Sequence, residues 1–600
     1  MPKPKAKKTD LPRWNLNDLY AGPKSAKLKA DLAWTEAESK KFRKAYEGRL
    51  KGLDGQGLGR AIARYEKIAE RIGKIMSYGH LLHATNMSDT AVSVFFQTLQ
   101  ERVTDISTET LFFSLELNRI GDGVLKRQLK HPKSAHYAPW VRDVRVFRDH
   151  QLSDEAEKLL HEKSLTSHNA WIRLFGETMA DIRFSVEKPG KGKRIKEMTL
   201  ADTLNMLSDK KPAVRKQAAK ALNAGLGKNI RTFTLITNTL AKDKEIEDQW
   251  RRYPEPQSYR NLSNQVEDEV VAALVGSVRK NYTNLSHRYY KLKAKWFGVR
   301  QLNTWDRNAP LPEDSDRRFS WDEAKSTVLS AYGGFAPEMA SIAKQFFDKR
   351  WIDAPPEAGK DSGAFSHSTV PSVHPYVMMN FHGKARDVMT LAHELGHGVH
   401  QVLAAKQGAL MSDTPLTLAE TASVFGEMLT FRKMLETEKS AKRRRILLAG
   451  KVEDMMNTVI RQIAFHCFEE QVHSERPKGE LSADRLGKIW MQVQRESLGP
   501  AFKFDDEYRH FWAYIPHFLH APFYVYAYAF GDCLVNSLYD VFQSGHPGFE
   551  KKYFDMLKAG GTLRHKELLA PFGLDASDPA FWNRGLSVIS GFIDELEETL

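Results

Sequence analysis

The chain has 600 residues, 42% of them hydrophobic and 27% charged, which is enough apolar material for a large core in a protein that stays in water. Its two cysteines, Cys467 and Cys533, exclude a disulfide framework and point to a reducing, cytoplasmic compartment. The net charge of +14 is dispersed, apart from the Lys3, Lys5, Lys7, Lys8 group and the Lys442-Arg443-Arg444-Arg445 run. No zinc-knuckle spacing, aromatic RNA-binding signature or phosphate-cradling glycine loop accompanies it, so no nucleic-acid partner is expected.

In chain order, residues 1–20 read as a polar tail without the apolar segment of a secretory leader. The first packed residues are Trp14, Leu16, Leu19 and Tyr20. Residues 25–130 carry long periodic helical segments, for example 58–72 and 91–117. Residues 131–200 are mixed. Pro132 and Pro139 punctuate them, and a Pro189-Gly190 turn suits a hairpin between Ile182–Val186 and Ile195–Leu200. Helices resume from Thr203, where Met339, Ile342 and Phe346 form a buried stripe. Loops are expected over 304–319 and 353–363. Residues 370–379, β-branched and interrupted by proline, read as an edge strand. The organisation expected is a tail (1–20), an N-terminal helical lobe (21–202) and a catalytic domain (203–600).

Residues 387–403 read as a helix that contains His393-Glu394-Leu395-Gly396-His397. Histidines four apart lie one turn apart on one face, where both imidazoles reach a single zinc ion. Glu394 then leans over the open side of the ion as a general base. Residues 417–427 read as a second helix with Thr417 as N-cap. Its Glu420, 23 residues past His397 and beyond a loop marked by Gly408, Asp413 and Pro415, brings a third ligand. Three protein ligands and one open position characterise catalytic rather than structural zinc. Glu427, two turns on, suits the second N–H of a ligand histidine. The longer metzincin motif is excluded, because it needs glycine at 400 and histidine at 403 and the chain has His400 and Leu403.

Residues 511–531 contain no Asp, Glu, Lys or Arg. Their length suits a membrane span, but two histidines, two prolines and four tyrosines suit a polar cleft better, and no membrane crossing is expected. As one helix, His517, His520, Tyr524 and Tyr528 share a face and are candidate oxyanion donors, while Tyr526 points away into the core. His367, His374, His382, His400, His466 and His473 read as structural, although His374 lies within the candidate strand.

These residues also carry a family resemblance across most of the chain. Leu391-Ala-His-Glu-Leu-Gly-His-Gly-Val-His400 and Ala419-Glu-Thr-Ala-Ser-Val-Phe-Gly-Glu427 resemble the zinc helix and third-ligand helix of the oligoendopeptidase F group, relatives of thimet oligopeptidase and neurolysin. Gly363-Ala-Phe-Ser366 and His374-Pro-Tyr-Val-Met-Met-Asn380 resemble its substrate-side strand. Arg461-Gln462, Phe468-Glu469 and Pro522-Phe-Tyr-Val-Tyr-Ala-Tyr528 resemble later blocks, the last with a different tyrosine spacing. The resemblance implies a mainly α, two-lobed body with a deep channel and a small β-sheet beside the zinc. It implies His393, His397 and Glu420 as ligands of one Zn²⁺ and Glu394 as base. It also implies substrate contacts at Gly363, Ala364, Phe365, His374 and Tyr376. The expected activity is cleavage of internal bonds in short unfolded peptides. The alternatives are a related helical zinc carboxypeptidase or dipeptidyl carboxypeptidase, or a peptide-binding scaffold without catalysis. The presence of Glu394 argues against the scaffold, since binding needs no base.

Overall fold

The computed structural model describes residues 11–599 except 165, 188–194, 312–316, 358 and 362. The amino-terminal lysine group and the Pro189-Gly190 turn lie outside the described residues. The fold is mainly helical, and its chain divides into two compact units, each built from three segments. One comprises Met1–Arg148, Asp316–Thr437 and Phe542–Gly573; the other comprises Asp149–Ser315, Glu438–Val541 and Leu574–Leu600. The units therefore do not follow the contiguous division at 202/203, because helices distant in sequence close each core.

In the first unit, the 30-residue helix Gly55–Ala84 packs against Ala26–Tyr46 and Thr90–Thr108. Asp54 caps its start by accepting the Gly57 N–H. Phe42, Leu58, Ile62, Phe113 and Leu117 fill the core between these helices. The helical segment expected over 91–117 is two helices, Thr90–Thr108 and Leu111–Arg119. A second core lies around Phe335, Phe425, Phe542, Phe549 and Tyr553, whose rings touch one another. The Met339, Ile342 and Phe346 stripe is buried in the helix Pro337–Asp348.

The second unit is built on long helices, among them Pro212–Lys228, Ile230–Arg251, Arg461–Glu475, Ala483–Leu498 and Pro579–Glu597. Strands β1 (Phe184–Glu187) and β2 (Ile195–Met198) pair antiparallel, within one or two residues of the expected hairpin. Strand β3 (Leu302–Asn303) pairs parallel with a strand at Phe502–Lys503.

The sheet of the first unit contains β4 (Ile352–Asp353), β5 (Phe365–His367) and β6 (Tyr376–Met378), in the order β4-β6-β5. β6 runs parallel to β4 and antiparallel to β5. The strand expected at an edge is therefore central. Proline falls outside it, at 375, and Tyr376, Val377 and Met378 are fully buried, as a strand with neighbours on both sides requires. β4 and β5 are the outer strands, and on β5 the Ser366 carbonyl accepts from Gln401 Nε2 at 3.2 Å. Among the described residues no helix is long and apolar enough to cross a membrane.

Candidate metal centre

The helix Ala385–Ala404 carries the two histidines. Its start is fixed by Asp387, whose carboxylate accepts the N–H groups of His382 at 2.7 Å and Lys384 at 2.9 Å. Val388, Leu391, Leu395, Val399 and Leu403 bury one stripe of it. His393 and His397 lie off that stripe, their ring centroids 4.9 Å apart. Their side chains keep 27% and 19% exposure, and Glu420 keeps 33%, so all three remain reachable from solvent.

Glu420 arrives from a turn. The helix expected over 417–427 is interrupted: a single turn at Leu416–Ala419 ends before Glu420, and a second helix begins at Ser423 and runs to Thr437. Thr417 lies inside the first turn, and Pro415 occupies the cap. Hydroxyl side chains take backbone carbonyls that a continuous helix would use. Thr421 Oγ1 donates to Leu418 O at 2.7 Å and Tyr553 OH to Thr421 O at 2.9 Å. The turn lies tight against the histidine helix. A Cβ on Gly396 would stand 2.3 Å from Ala422 O, so the residue just before His397 has to be this small.

The close approach places Glu420 Oε2 3.3 Å from His393 Nε2 and 3.5 Å from His397 Nε2. All three donor atoms lie within 4.8 Å of one another. A tetrahedral ion bound at about 2.0–2.2 Å separates its ligand atoms by about 3.3–3.5 Å. The two histidine–carboxylate spacings match that edge, and two imidazoles with one carboxylate suit zinc.

Outer contacts orient each donor. Glu427 Oε2 lies 3.3 Å from His393 Nδ1, so Nε2 faces Glu420. The His397 ring donates to the Ala419 carbonyl. Ser423 Oγ donates to Glu420 Oε2 at 2.6 Å. Fully buried Tyr332 donates to Ala392 O, and its hydroxyl occupies space that a Cβ on Gly426 would fill. Tyr332 thus spaces the histidine helix from the Ser423–Thr437 helix. Glu394 is buried and accepts the backbone N–H of Ser366 in β5.

With only protein around them, burial pushes the Glu394 carboxyl up to about 7, His393 opposes this, and Glu420 reinforces it. Burial also raises Glu420, but bonds to His393 and the nearby His397 outweigh it and bring the group down to about 2. Burial lowers His397 to about 4. Burial lowers His393 too, but Glu420 and Glu427 override it and hold its imidazole well above the usual range.

The remaining candidates separate. Phe365 lies in the outer strand β5, packed near Trp14 and His80, and Gly363 and Ala364 lead into it. His374 and Tyr376 are committed elsewhere. His374 stacks on Trp351 with ring centroids 3.9 Å apart, its Nε2 2.9 Å from Asp18, and the Tyr376 hydroxyl donates to Asn15 O. They anchor the first packed residues of the chain. His400 and His473 are buried, which lowers them to about 4 and about 3; His466 is buried beside Glu470, and His367 bonds Ser77.

His517, His520, Tyr524 and Tyr528 belong to the second unit, and the single helix expected for them is broken. A 3₁₀ stretch covers Asp506–Tyr514, one turn covers His517–His520, and the next helix is Tyr526–Gln543. Pro516 and Pro522 supply no N–H, and Phe523 adopts φ +59°. The turn still gathers three of the four. His517 Nε2 lies 3.3 Å from Tyr528 OH, and Tyr524 stacks on His517. His520 meets Phe175 instead. Tyr526 is fully buried and accepts from Asn264, in the core as expected.

The sequence reading missed Ser423, Tyr332 and Tyr553, and it placed Ser366 on the substrate side without its bond to Glu394. Ser423 had a signal, a hydroxyl three residues from a proposed ligand. The glycines at 396 and 426 signalled close approach without saying to what.

Comparison with known proteins supplies a separate line of observation. A family model described as "Peptidase family M3" matches residues 205–588, and one described as "Oligopeptidase F" matches residues 116–184. "Oligopeptidase PepF" of Bacillus subtilis is 28% identical over 98% of this chain and 87% of its own length. An "Oligoendopeptidase F homolog" of Lactococcus lactis is 26% identical over 98% and 97%. The fold resembles that of a putative peptidase from Chlamydophila abortus, with a TM-score of 0.86 at 23% identity and 98% coverage of each chain. It also resembles oligoendopeptidase-F from Enterococcus faecium, with a TM-score of 0.71 at 22% identity over 96% and 97%.

Proposed function

This chain belongs to peptidase family M3 and is a metallopeptidase, and we propose that it is a zinc-dependent endopeptidase that cuts internal bonds of short, unfolded peptides. One observation carries the reading: the His393–Glu420 and His397–Glu420 spacings of 3.3 and 3.5 Å, on a scaffold that also holds Glu394. Zinc bound by these three side chains supplies polarisation of a peptide carbonyl and a more acidic water.

The chain's own residues supply the proton path. The carboxylate form of Glu394 accepts a proton from the attacking water and carries it to the leaving amine. The Ser366 N–H fixes its direction. An extended peptide can lie along β5 with Gly363, Ala364 and Phe365 beside it and little demand on its sequence, while the outward N–H and carbonyl of Ser366 are taken by Glu394 and Gln401. His517, Tyr524 and Tyr528 offer donors of the kind that a developing oxyanion needs. The printed names of the relatives, which include oligoendopeptidase, support the internal-cleavage reading.

Product masses from one mixed digest test it. Peptides of up to roughly twenty residues, a size a substrate cleft can hold, should yield internal fragments, while a folded protein stays intact. Products trimmed only at the C-terminus would replace this reading with a carboxypeptidase or dipeptidyl carboxypeptidase. Absence of cleavage by the zinc-loaded protein would leave a binding scaffold.

A further inference from the structure

Glu394 is not the only side chain of the histidine helix that reaches β5. Gln401 lies seven residues on, two turns along the same side of Ala385–Ala404. Both grip one residue, Ser366. Its N–H goes to Glu394. Its carbonyl accepts from Gln401 Nε2 at 3.2 Å, and its hydroxyl donates to Gln401 Oε1 at 2.8 Å. The carbonyl can only accept, so it fixes which end of the amide faces it. The amide oxygen is left for the serine hydroxyl, and every polar group of Ser366 then has a partner on this one helix.

These bonds occupy the outward edge of the strand. Ser366 stands opposite Val377 of β6, and backbone groups turn alternately toward and away from the partner along an antiparallel strand. The N–H and carbonyl of Ser366 turn to the helix, so those of Phe365 and His367 turn to β6. Side chains alternate as well, and the other face of β5 is pinned separately. His367 Nε2 lies 2.9 Å from Ser77 Oγ on the helix Gly55–Ala84, and Phe365 meets His80. The strand is thus anchored there without Gln401. What Gln401 adds is local. Its carboxamide, the same chemical group as a peptide unit, stands where a neighbouring strand would pair and keeps Ser366 from turning away from Glu394.

We propose that Gln401 is a positioning residue: by holding the carbonyl and hydroxyl of Ser366, it keeps the Ser366 N–H on Glu394 and so directs the base. The role of the base rests on the peptidase reading; the clamp on Ser366 does not.

Kinetics, metal content and amide exchange separate the two. In Gln401→Ala, kcat on a short peptide should fall about 10–100-fold, with KM and zinc content unchanged. In a Glu394→Gln background the same change should cost nothing further, because no base is left to direct. Ser366→Thr keeps the hydroxyl and should stay near wild type, whereas Ser366→Ala should lose part of kcat. In the metal-free protein, the segment that holds Ser366 should exchange its amide hydrogens about 2–10-fold faster in Gln401→Ala, the worth of one hydrogen bond. Mass spectrometry of the digested protein reads that rate. An unchanged kcat in Gln401→Ala overturns the proposal. A lower KM with kcat preserved overturns it too, and makes Gln401 a strap that the peptide displaces. A loss of turnover that recurs in the Glu394→Gln background, or that comes with lost zinc, overturns it in favour of a packing role. Unaltered exchange overturns the clamp whatever the activity. Wild-type protein that cleaves nothing, with exchange altered as expected, overturns the peptidase reading and the direction of the base with it, and leaves the clamp standing.

Discussion

The helix Ala385–Ala404 and the segment 511–531 both invite reading as one helical face that carries chemistry. The first is such a face. It has no internal proline, its start is tied by Asp387, and its histidines stand one turn apart. The second has comparable residues at helical spacing but two prolines, and it breaks at both. Phe523, held at φ +59°, donates its N–H to Glu469 at 2.8 Å, and Arg260 donates to Pro522 O at 3.2 Å. Periodicity places side chains only where the backbone hydrogen bonds are uninterrupted. The first region is organised by its helix and the second by a pinned turn.

That contrast can be pressed by mutation. In the second region, Tyr528→Phe should lower kcat by about 10²–10³-fold with metal retained, as loss of an oxyanion donor does. Tyr526→Phe should cost stability, because Asn264 loses its buried acceptor, and should leave kcat nearly unchanged. Reversed effects would mean that the turn does not select which tyrosine acts. In the first region, Ser423→Ala and Glu427→Gln leave the three donors in place and remove their supports. Metal affinity should fall about 10–100-fold in each, read by competition with a chelating dye. Unchanged affinity would show that the helix alone orients the ligands.

Smaller effects concern how each region is held. Gly396→Ala drives a methyl into Ala422 O, and should cost about 1–3 kcal/mol in a denaturant melt. A neutral result would mean that the Glu420 turn yields freely. In the second region, burial pushes Glu469 up to about 8 from its ordinary 4.5. The unfolded chain therefore loses this proton first. The stability that the protonated group confers is complete below about pH 4.5 and is lost as the pH rises to about 8. Compared with Glu469→Gln, the wild-type melting temperature should decline across that window, and a constant difference would place the proton elsewhere.

Much of the first region was legible in the sequence, because its information is local. The His393/His397 spacing, the Glu394 position and the Met339 stripe each follow from helical periodicity. Glu420 was legible by spacing, but its turn was not, since Thr421 and distant Tyr553 create it together. The central place of β6 depends on pairing with β4 and β5 from elsewhere in the chain, which short β-branched runs do not encode. The prolines at 516 and 522 are the local signal of the two breaks, and their missing N–H groups override the periodicity. The three-segment units were illegible for the same reason as the sheet order: their contacts join residues hundreds apart.

Metal content and turnover, measured together on three proteins, test the central claim most directly. The account predicts one zinc per chain and full turnover in the wild type. It predicts one zinc per chain in Glu394→Gln, with turnover reduced by about 10²–10⁴-fold or more. It predicts loss of the metal and of activity in Glu420→Ala. Stoichiometric zinc with normal turnover in Glu420→Ala, or near-normal turnover in Glu394→Gln, would contradict it.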